Sequence, residues 1–293
     1  MTAGKKRLGL GLMVLVMGAV SALGLAAPAG AQVVEAARAA LPDGIRASGV
    51  LKVATSLAWA PFAYKTEAGE TAGLDIDIVN ALAARLGVKP EFADLKFPTI
   101  IPGVQSGRYD IGVDQFAITP DRRKAVDFVP YITGHSGLLV RQGNEGLTIN
   151  DLCGKELSLT QGSSQIDTAT ALSKKCQAEG KPEIKFTYYP DSAATYMAVA
   201  NGRGDGFITG RAVGEWISRI NPKMKMSMTK ETLADEPYSA SGIVMTKENT
   251  ALRKALEAAL LSMVADGTYM KLLEKYGVPD SALTVDQITH SPI

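Results

Sequence analysis

The segment around residue 115 constrains the fold most strongly, because in it a short buried strand runs directly into a helix. Asp110 to Ile118 mixes small and apolar residues, which is typical of a buried strand. Thr119 then takes an N-cap position, Pro120 fits the first helical position, and Asp121 favours the positive end of the helix dipole. The sequence therefore predicts a strand-to-helix unit at this point.

The helix of this unit opens with two arginines, Arg122 and Arg123. A guanidinium and free backbone N–H groups would then lie together at the carboxyl end of a strand, where a small anion meets donors that are already oriented. The alternative is an ordinary capped helix whose two arginines are solvated. The local sequence leaves both interpretations open.

Strands and helices alternate along the rest of the chain, which predicts an α/β fold with its ligand at the carboxyl ends of the strands. The predicted strands are residues 51–55, a strand from 91, and residues 137–140, 156–160, 185–189, 207–209 and 242–245. The predicted helices span residues 75–87, a segment from Ile100, a segment from Gln165, and residues 191–200, 212–220 and 252–276. Asp75 is the predicted cap of the first helix and Gly87 its end, and Phe97 is expected in the loop before the second. Ser163 and Ser164 can cap the third helix, and the last helix has a break near Gly267.

One short pattern occurs twice. Tyr109-Asp110-Ile111-Gly112 and Gly204-Asp205-Gly206-Phe207-Ile208 are both turn–Asp–strand units, and each leads to an arginine at a helix start. Two similar lobes that face each other would produce this repeat, and so would coincidence.

The composition is that of an ordinary soluble protein of 293 residues, long enough for two domains. The formal net charge of +1 offers no basic excess, so nucleic acid is not expected as a partner. The sequence has no recognisable nucleophile–base pair, Gly-x-Ser-x-Gly motif, phosphate-binding loop or metal-ligand cluster. We therefore expect no catalytic site, no cofactor and no metal.

The N-terminus is predicted to be a secretory signal peptide. Lys5-Lys6-Arg7 provides the positive region, Leu8 to Leu25 is apolar, and Pro28 to Ala31 offers an Ala-x-Ala cleavage site. The mature chain then starts near Gln32, after removal of residues 1–31. A retained transmembrane anchor is the alternative.

Two cysteines, Cys153 and Cys176, remain in the mature chain and fit export to an oxidising compartment. A disulfide between them would stabilise its domain by about 3 kcal/mol in the loop-entropy model. Two buried free thiols are the alternative.

Taken in order, the motifs of the mature chain resemble those of family 3 periplasmic solute-binding proteins, which have the type II binding-protein fold and serve polar amino acid ABC importers. The matching segments cover nearly all of the mature chain: Trp59-Ala-Pro-Phe62, Gly73-Leu-Asp-Ile-Asp77, Ile101–Asp110, Thr119–Phe128, Asp151–Lys155, Gln161-Gly-Ser163 and Asp266–Lys271.

The resemblance implies two α/β lobes joined by two crossover strands. Residues 32–134 plus 242–293 would form lobe one, and residues 135–241 would form lobe two. Closure of the lobes would trap one small polar ligand, which a membrane permease and its ATPase then take over. We expect a periplasmic monomer.

The resemblance also assigns roles to residues at matching positions. Arg122 would hold the ligand carboxylate in a bidentate fork, which a lysine could not reproduce. The backbone N–H at Ala117 and the amides around Ser163 and Ser164 would complete that site. Trp59 and Phe97 would sandwich the ligand side chain; the alternative is that they only pack in the core. The remaining cleft candidates are Gln115, Gln165, Ser56 and His135. For His135 the alternative is a hinge residue.

The chain departs from the family pattern where acidic residues usually meet the cationic groups of an amino acid. Ser56 and Gly210 occupy those two positions, with Arg211 beside the second, and Ala117 stands where a serine or threonine is usual. Burying an α-ammonium without a compensating charge is costly. Either Asp114 or another acid takes this role, or the ligand is a small carboxylate or an amino acid derivative.

Exported cyclohexadienyl dehydratases share this scaffold, so an enzyme is the alternative function. Such an enzyme needs a carboxylic acid in the cleft as general acid, and Asp114 is the one candidate that the sequence offers. A strand-end capping role for Asp114 is the simpler interpretation, so we expect a binding protein. A sensor module would require the loaded protein to dock on a separate membrane receptor.

Overall fold

Strands and helices alternate along this computed structural model, which describes residues 1–2, 32–233 and 240–290, with residues 231–233 described by their backbone alone. The strands are β1 (Val50–Thr55), β2 (Ala58–Trp59), β3 (Ala63–Lys65), β4 (Thr71–Ala72), β5 (Lys89–Asp94), β6 (Ile111–Ala117), β7 (Asp127–Thr133), β8 (Ser136–Arg141), β9 (Glu156–Thr160), β10 (Lys185–Tyr189), β11 (Gly206–Gly210), β12 (Met226–Leu233) and β13 (Ala240–Met245). The helices are α1 (Glu35–Ala39), α2 (Asp43–Ser48), α3 (Leu74–Leu86), α4 (Phe97–Gln105), α5 (Pro120–Ala125), α6 (Gln165–Ala178), α7 (Ser192–Ala200), α8 (Arg211–Ile220), α9 (Thr250–Ala265), α10 (Thr268–Lys275) and α11 (Val285–Thr289).

All of these elements belong to one compact unit that starts after residue 30. The predicted signal peptide lies outside the described residues, apart from Met1 and Thr2. None of the described helices combines the length and the apolar character that a membrane crossing requires.

Two five-stranded sheets organise the molecule. The first has the spatial order β5-β1-β6-β13-β7, and the second has the order β10-β9-β11-β8-β12. In each, the first three strands of this order run parallel and the last two pair antiparallel with their neighbours. A small antiparallel sheet, β2-β3-β4, follows β1. The predicted α/β fold with two lobes is confirmed.

The chain passes between the two large sheets twice, from β7 to β8 and from β12 to β13. Residues 234–239 of the second passage lie outside the described part of the chain. Strand β13 begins at Ala240, where it pairs with Thr133 of β7. The predicted lobe boundaries remain predictions, and the first sheet takes up the chain two residues before the expected position 242.

Helix α3 shows how apolar spacing directs the packing. Ile78, Val79, Leu82 and Leu86 recur at helical spacing, and all four are fully buried in the core. Gly87 ends the helix with φ 65°, a left-handed conformation that glycine adopts without steric cost. The predicted end of this helix is confirmed.

The predicted cap of α3 is wrong. The N-cap residue is Gly73, and the first N–H groups of the helix, those of Leu74 and Asp75, donate to the carbonyls of Pro61 and Phe62. Because backbone carbonyls accept these bonds, no side-chain cap is needed. Asp75 instead lies buried in the first turn of the helix.

Two further local predictions need correction. Phe97 begins α4 instead of preceding it, since proline is tolerated in a first helical turn and Pro98 occupies that turn. Ser164 is the N-cap residue of α6, but its side chain accepts no capping bond. The amide of Ser163 donates to the carbonyl of Thr160, which closes a turn before the helix.

The expected disulfide between Cys153 and Cys176 is present. It joins the segment before β9 to α6, and Cys176 is buried in an apolar cluster with Leu157 and Leu159 of β9.

Candidate ligand-binding cleft

A cavity of about 430 Å³ lies where strands of both large sheets end. Each residue that the sequence assigned to a site lines it: Ser56, Trp59, Phe97, Asp114, Gln115, Ala117, Arg122, Ser163, Ser164, Gln165 and Gly210, with His135 beside them. The structure thus brings these residues to one place, and their contact with a ligand remains a prediction.

Arg122 is held in a defined position. The predicted cap is present, because the backbone N–H of Arg122 donates to the hydroxyl of Thr119 at 3.2 Å. The guanidinium donates through Nη1 to the carbonyl of Ala117 at 2.9 Å and through Nη2 to the carbonyl of Gly162 at 3.0 Å. None of the described carboxylates forms an ion pair with it.

Aromatic rings lie against the guanidinium. The carbon Cζ of Arg122 is 5.4 Å from the ring centroid of Phe116 and 5.7 Å from that of Phe97, and these two rings stack with centroids 4.9 Å apart. Burial lowers the pKa of Arg122 to about 10, which the negative charge of Asp167 opposes. The side chain therefore stays cationic at neutral pH.

Buried polar atoms without a hydrogen-bond partner cluster around the cavity. Among the described residues they include Nε1 of Trp59, both carboxylate oxygens of Asp114, Nε2 of Gln115 and Oγ of Ser163, and these four residues all line the cavity. Buried polar groups in proteins nearly always have partners. The arrangement therefore offers donors and acceptors to a small polar molecule.

Asp114 adjoins a second buried acid. The carboxyl of Asp75 accepts a hydrogen bond of 2.7 Å from the hydroxyl of Tyr131. Burial raises the pKa of Asp75 to about 7, against the lowering effect of that bond. Burial also raises the pKa of Asp114 well above its ordinary value; Ser56 opposes this rise, and the charges of Asp75 and Asp94 add to it.

The wall contributed by the second sheet carries an acid and an arginine that offset each other. The hydroxyl of Thr160 lies 2.9 Å from that of Thr195 and 3.4 Å from that of Ser192. Gly210 has no side chain, and the adjacent Arg211 pairs with Glu215 at 3.4 Å. This wall therefore presents hydroxyls and backbone groups, together with an arginine and a glutamate that pair with each other.

Sequence reasoning missed several lining residues. Thr160 ends a predicted strand and Ser192 begins a helix, so the rule that ligands meet the carboxyl ends of strands could have found both. Residues 277–281 also line the cavity, but no local pattern in their sequence indicates it.

The two walls are in direct contact. Besides the bond from Arg122 to Gly162, Nζ of Lys96 lies 2.7 Å from Oδ2 of Asp191. The rings of Tyr64 and Trp216 approach to 6.3 Å between centroids. The structure is therefore that of a cleft whose two sides have come together.

No cluster of three metal-binding side chains occurs within the described ranges 1–2, 32–233 and 240–290. The site consists of a fixed cation, a buried acid, stacked rings and unpartnered polar atoms.

A cleft of this kind between two α/β lobes is the site of a type II solute-binding protein. The chain belongs to the family of bacterial extracellular solute-binding proteins, family 3, whose model matches residues 51–279.

Relatives and solved structures agree with this family. The chain is 27% identical over 245 residues to "ABC transporter arginine-binding protein 1" of Escherichia coli (strain K12), a match that covers 83% of this chain and 97% of the relative. It is similar to the structure of an ancestral arginine-binding protein bound to glutamine, with TM-score 0.71, 33% identity, and coverage of 78% of this chain and 98% of that one. It also resembles the ancestral amino acid-binding protein AncCDT-1, a precursor of cyclohexadienyl dehydratase, with TM-score 0.69, 30% identity, and coverage of 80% and 98%.

Proposed function

We propose that this protein is the substrate-capturing component of an ABC importer of the bacterial periplasm. It closes its two lobes on one small amino acid or amino acid derivative that bears a carboxylate. A membrane permease with its ATPase then takes the ligand over, and the binding protein itself acts as a monomer, with residues 1–31 as the signal peptide.

One observation carries this proposal: Arg122 is fixed at the wall of the cavity and has no carboxylate partner among the described residues. A planar guanidinium matches the two oxygens of a carboxylate. The carbonyls of Ala117 and Gly162 that now accept its bonds leave part of its five-donor fork for a ligand. We assign the backbone N–H of Ala117 and the amide of Ser164 to the same carboxylate; the amide of Ser163 donates to the carbonyl of Thr160 and would have to leave it to assist.

The walls suit a ligand with an apolar or planar side chain as well. Trp59 and Phe97 line the cavity on the side of the first sheet. The alternative, that these rings only pack in the core, applies in part to Phe97, because its ring also stacks on that of Phe116. We assign residues 32–134 and the chain from Ala240 onward to lobe one, and the part between them to lobe two.

Native mass spectrometry of the purified protein is the first test, because a co-purified ligand would be seen directly. Calorimetric titration with L-arginine, L-glutamine, L-histidine and L-cystine, and with their deamino analogues, follows on protein stripped of ligand. We expect micromolar or tighter binding of one class, which corresponds to about 8 kcal/mol. If no carboxylate-bearing compound is retained or bound, the proposal is wrong.

An enzyme remains the second candidate, because the buried carboxyl of Asp114 at the cavity is a group that a dehydratase could use as general acid. Incubation with prephenate and with arogenate tests it. We expect no turnover of either compound, and product formation that Asp114→Asn abolishes would establish the enzyme instead.

A further inference from the structure

Asp114 is the one buried carboxylate among the described residues that line the cavity. Asp114 is only 3% exposed, and neither of its carboxylate oxygens has a hydrogen bond of normal geometry within the described chain. A carboxylate in this position is unfavourable unless a charge or a hydrogen-bond donor arrives to meet it.

The backbone brings Asp114 to the cavity by an irregular geometry. Consecutive residues of a regular strand face opposite sides, yet Asp114 and Gln115 both line the cavity. Gln115 has φ 49°, and the pairing of β6 with β13 shifts there, from Gly242 opposite Phe116 to Val244 opposite Gly112. Such a conformation is uncommon in a residue other than glycine, and strained backbone of this kind clusters at functional sites.

The charged surroundings of Asp114 are acidic. On α3 stands Asp75, on β5 stands Asp94, and on β7 stands Tyr131, whose hydroxyl is directed to Asp75. Ser56, after β1, contributes neutral polar groups. None of the described lysines or arginines forms an ion pair with Asp114. Without a ligand, these surroundings therefore favour the protonated, neutral form of Asp114, as its raised pKa indicates.

Arg122 supplies the opposite charge from the same strand-to-helix unit, eight residues along the chain. One wall of the cavity thus presents both a cation and an acid that are not paired with each other, and the other wall presents hydroxyls and an arginine–glutamate pair. A ligand that satisfies both must carry a carboxylate and a cationic group.

We propose that Asp114 receives the cationic group of a zwitterionic ligand and releases its own proton to the solvent when that ligand binds. This inference rests on the proposed function and adds the charge of the ligand and a proton linkage. The O–H bond of Asp114 breaks, the proton goes to the buffer, and the carboxylate left behind forms an ion pair with the ligand cation. The acid that the family pattern places at position 56 is thereby replaced by one from the adjacent strand.

The test uses the full mature protein and two pairs of probes. L-glutamine is compared with glutaramate, which lacks only the α-ammonium, and L-arginine is compared with 5-guanidinopentanoate. The variant is Asp114→Asn, which keeps the shape of the side chain. Asp121→Asn is the matched control, because Asp121 lies on α5 with an exposed side chain and pairs with Lys124.

For the probe pair that binds, we expect the parent to prefer the amino acid over its deamino analogue by at least about 30-fold, and Asp114→Asn to reduce this preference to about 3-fold or less. Calorimetry at about pH 5, in two buffers of different ionisation enthalpy, should show release of about one proton per ligand in the parent and none in Asp114→Asn. The number of protons released should fall as the pH is raised, because Asp114 is then protonated in a smaller fraction of the ligand-free protein. Asp121→Asn should behave as the parent does.

The possible failures can be told apart. If deamino analogues bind the parent as tightly as the amino acids, or if binding releases no proton, this inference is overturned while the proposed function stands. If none of the four probes and none of the wider panel binds, both are overturned. Should Asp114→Asn fail to fold, the comparison of probes and buffers in the parent alone still decides.

Discussion

The strand-to-helix unit β6–α5 of the first sheet has a counterpart in β11–α8 of the second. Both units start with an aspartate that pairs with a neighbouring parallel strand. Oδ2 of Asp110 accepts from the amide of Lys52 at 2.7 Å, and Oδ2 of Asp205 accepts from the amide of Glu156 at 2.9 Å. In both, the amide of the aspartate donates back to the carbonyl of the same residue. The repeat seen in the sequence therefore has a structural basis.

The two units differ where they reach the cavity. Arg122 is the third residue of α5, and its guanidinium lies against aromatic rings and donates only to carbonyls among the described groups. Arg211 is the first residue of α8 and pairs with Glu215 one turn later. The first unit brings Asp114 to the cavity from the middle of β6, whereas the second reaches the cavity at the end of β11 with Gly210, which has no side chain. Under the proposed function, the first wall would therefore meet the charges of the ligand, and the second wall would close over it without an unpaired charge.

The largest expected effect separates the two arginines. Arg122→Ala should weaken ligand binding by more than about 30-fold, since the ligand carboxylate is left unpaired in a buried site. Arg211→Ala should change it by no more than about 5-fold, because its charge is already partnered by Glu215. Calorimetric titration with the retained ligand measures both. Arg108→Ala, an exposed arginine outside the cavity, controls for loss of charge, and equal effects at 122 and 211 would refute the comparison.

The second experiment moves the acid from one unit to the other. A Cβ at Gly210 would have Val213 as its nearest described neighbour, at 4.0 Å, and φ there is −56°, so an aspartate can be accommodated. In the background of Asp114→Asn, Gly210→Asp should restore binding by about 10-fold, because a carboxylate again faces the cation. Gly210→Asn in the same background is the control. No difference between aspartate and asparagine at 210 would show that the two walls are not interchangeable in this respect.

The third prediction concerns the groups behind each wall, acids in the first lobe and hydroxyls in the second. The pKa of Asp75 rises from 3.8 to about 7, so the folded state retains a proton that the unfolded state loses as pH increases through this window. Stability contributed by the neutral acid is therefore lost between about pH 4 and 7. Asp75→Asn should remove this loss. Between pH 5 and pH 8 the free energy of unfolding of the variant should therefore fall by at least about 1 kcal/mol less than that of the parent.

Urea unfolding at the two pH values provides the measurement. Thr195→Ser alters the hydroxyl network of the second lobe without any titrating group. Its effect on the free energy of unfolding should be the same at both pH values. A parent protein whose stability does not fall over this range would argue against the buried neutral acid.

The smallest effect is expected at the contact between the walls. Lys96→Ala removes the ion pair with Asp191, which joins the two sides of the cleft, and should weaken ligand binding by about 2- to 5-fold. Added salt should reduce the affinity of the parent toward that of the variant. Lys124→Ala, which removes an ion pair within α5, should leave the affinity unchanged. An unaltered affinity in Lys96→Ala would mean that this pair does not contribute to closure.

Much of the fold follows from local sequence. Strands β9 and β10 have the predicted bounds, and the break after α9 falls at Gly267, whose φ of 78° suits glycine. The junction of a strand and a helix also pointed to Arg122, because ligands meet α/β sheets at such positions, whereas Ser56, Trp59, Phe97, Gln115 and Ala117 were found through the family resemblance.

Other features depend on contacts that are distant in sequence. The left-handed Gln115 arises where β6 pairs irregularly with β13, more than a hundred residues away, and Ser241 donates to the carbonyl of Gln115 there. The burial of Asp75 depends on Tyr131 and on the carbonyls that replace a cap. Local patterns carry no information on such pairings, so the burial of Asp75 beside Asp114 could not be predicted, although Asp114 itself was a cleft candidate.

A crystal structure of the parent protein with its bound amino acid tests the central claim most directly. The account predicts a ligand carboxylate oxygen within about 3.2 Å of a guanidinium nitrogen of Arg122, and a cationic nitrogen of the same molecule within about 3.2 Å of a carboxylate oxygen of Asp114. A ligand whose carboxylate is bound elsewhere, or whose cationic group is met by the second lobe while Asp114 stays without a partner, would contradict it.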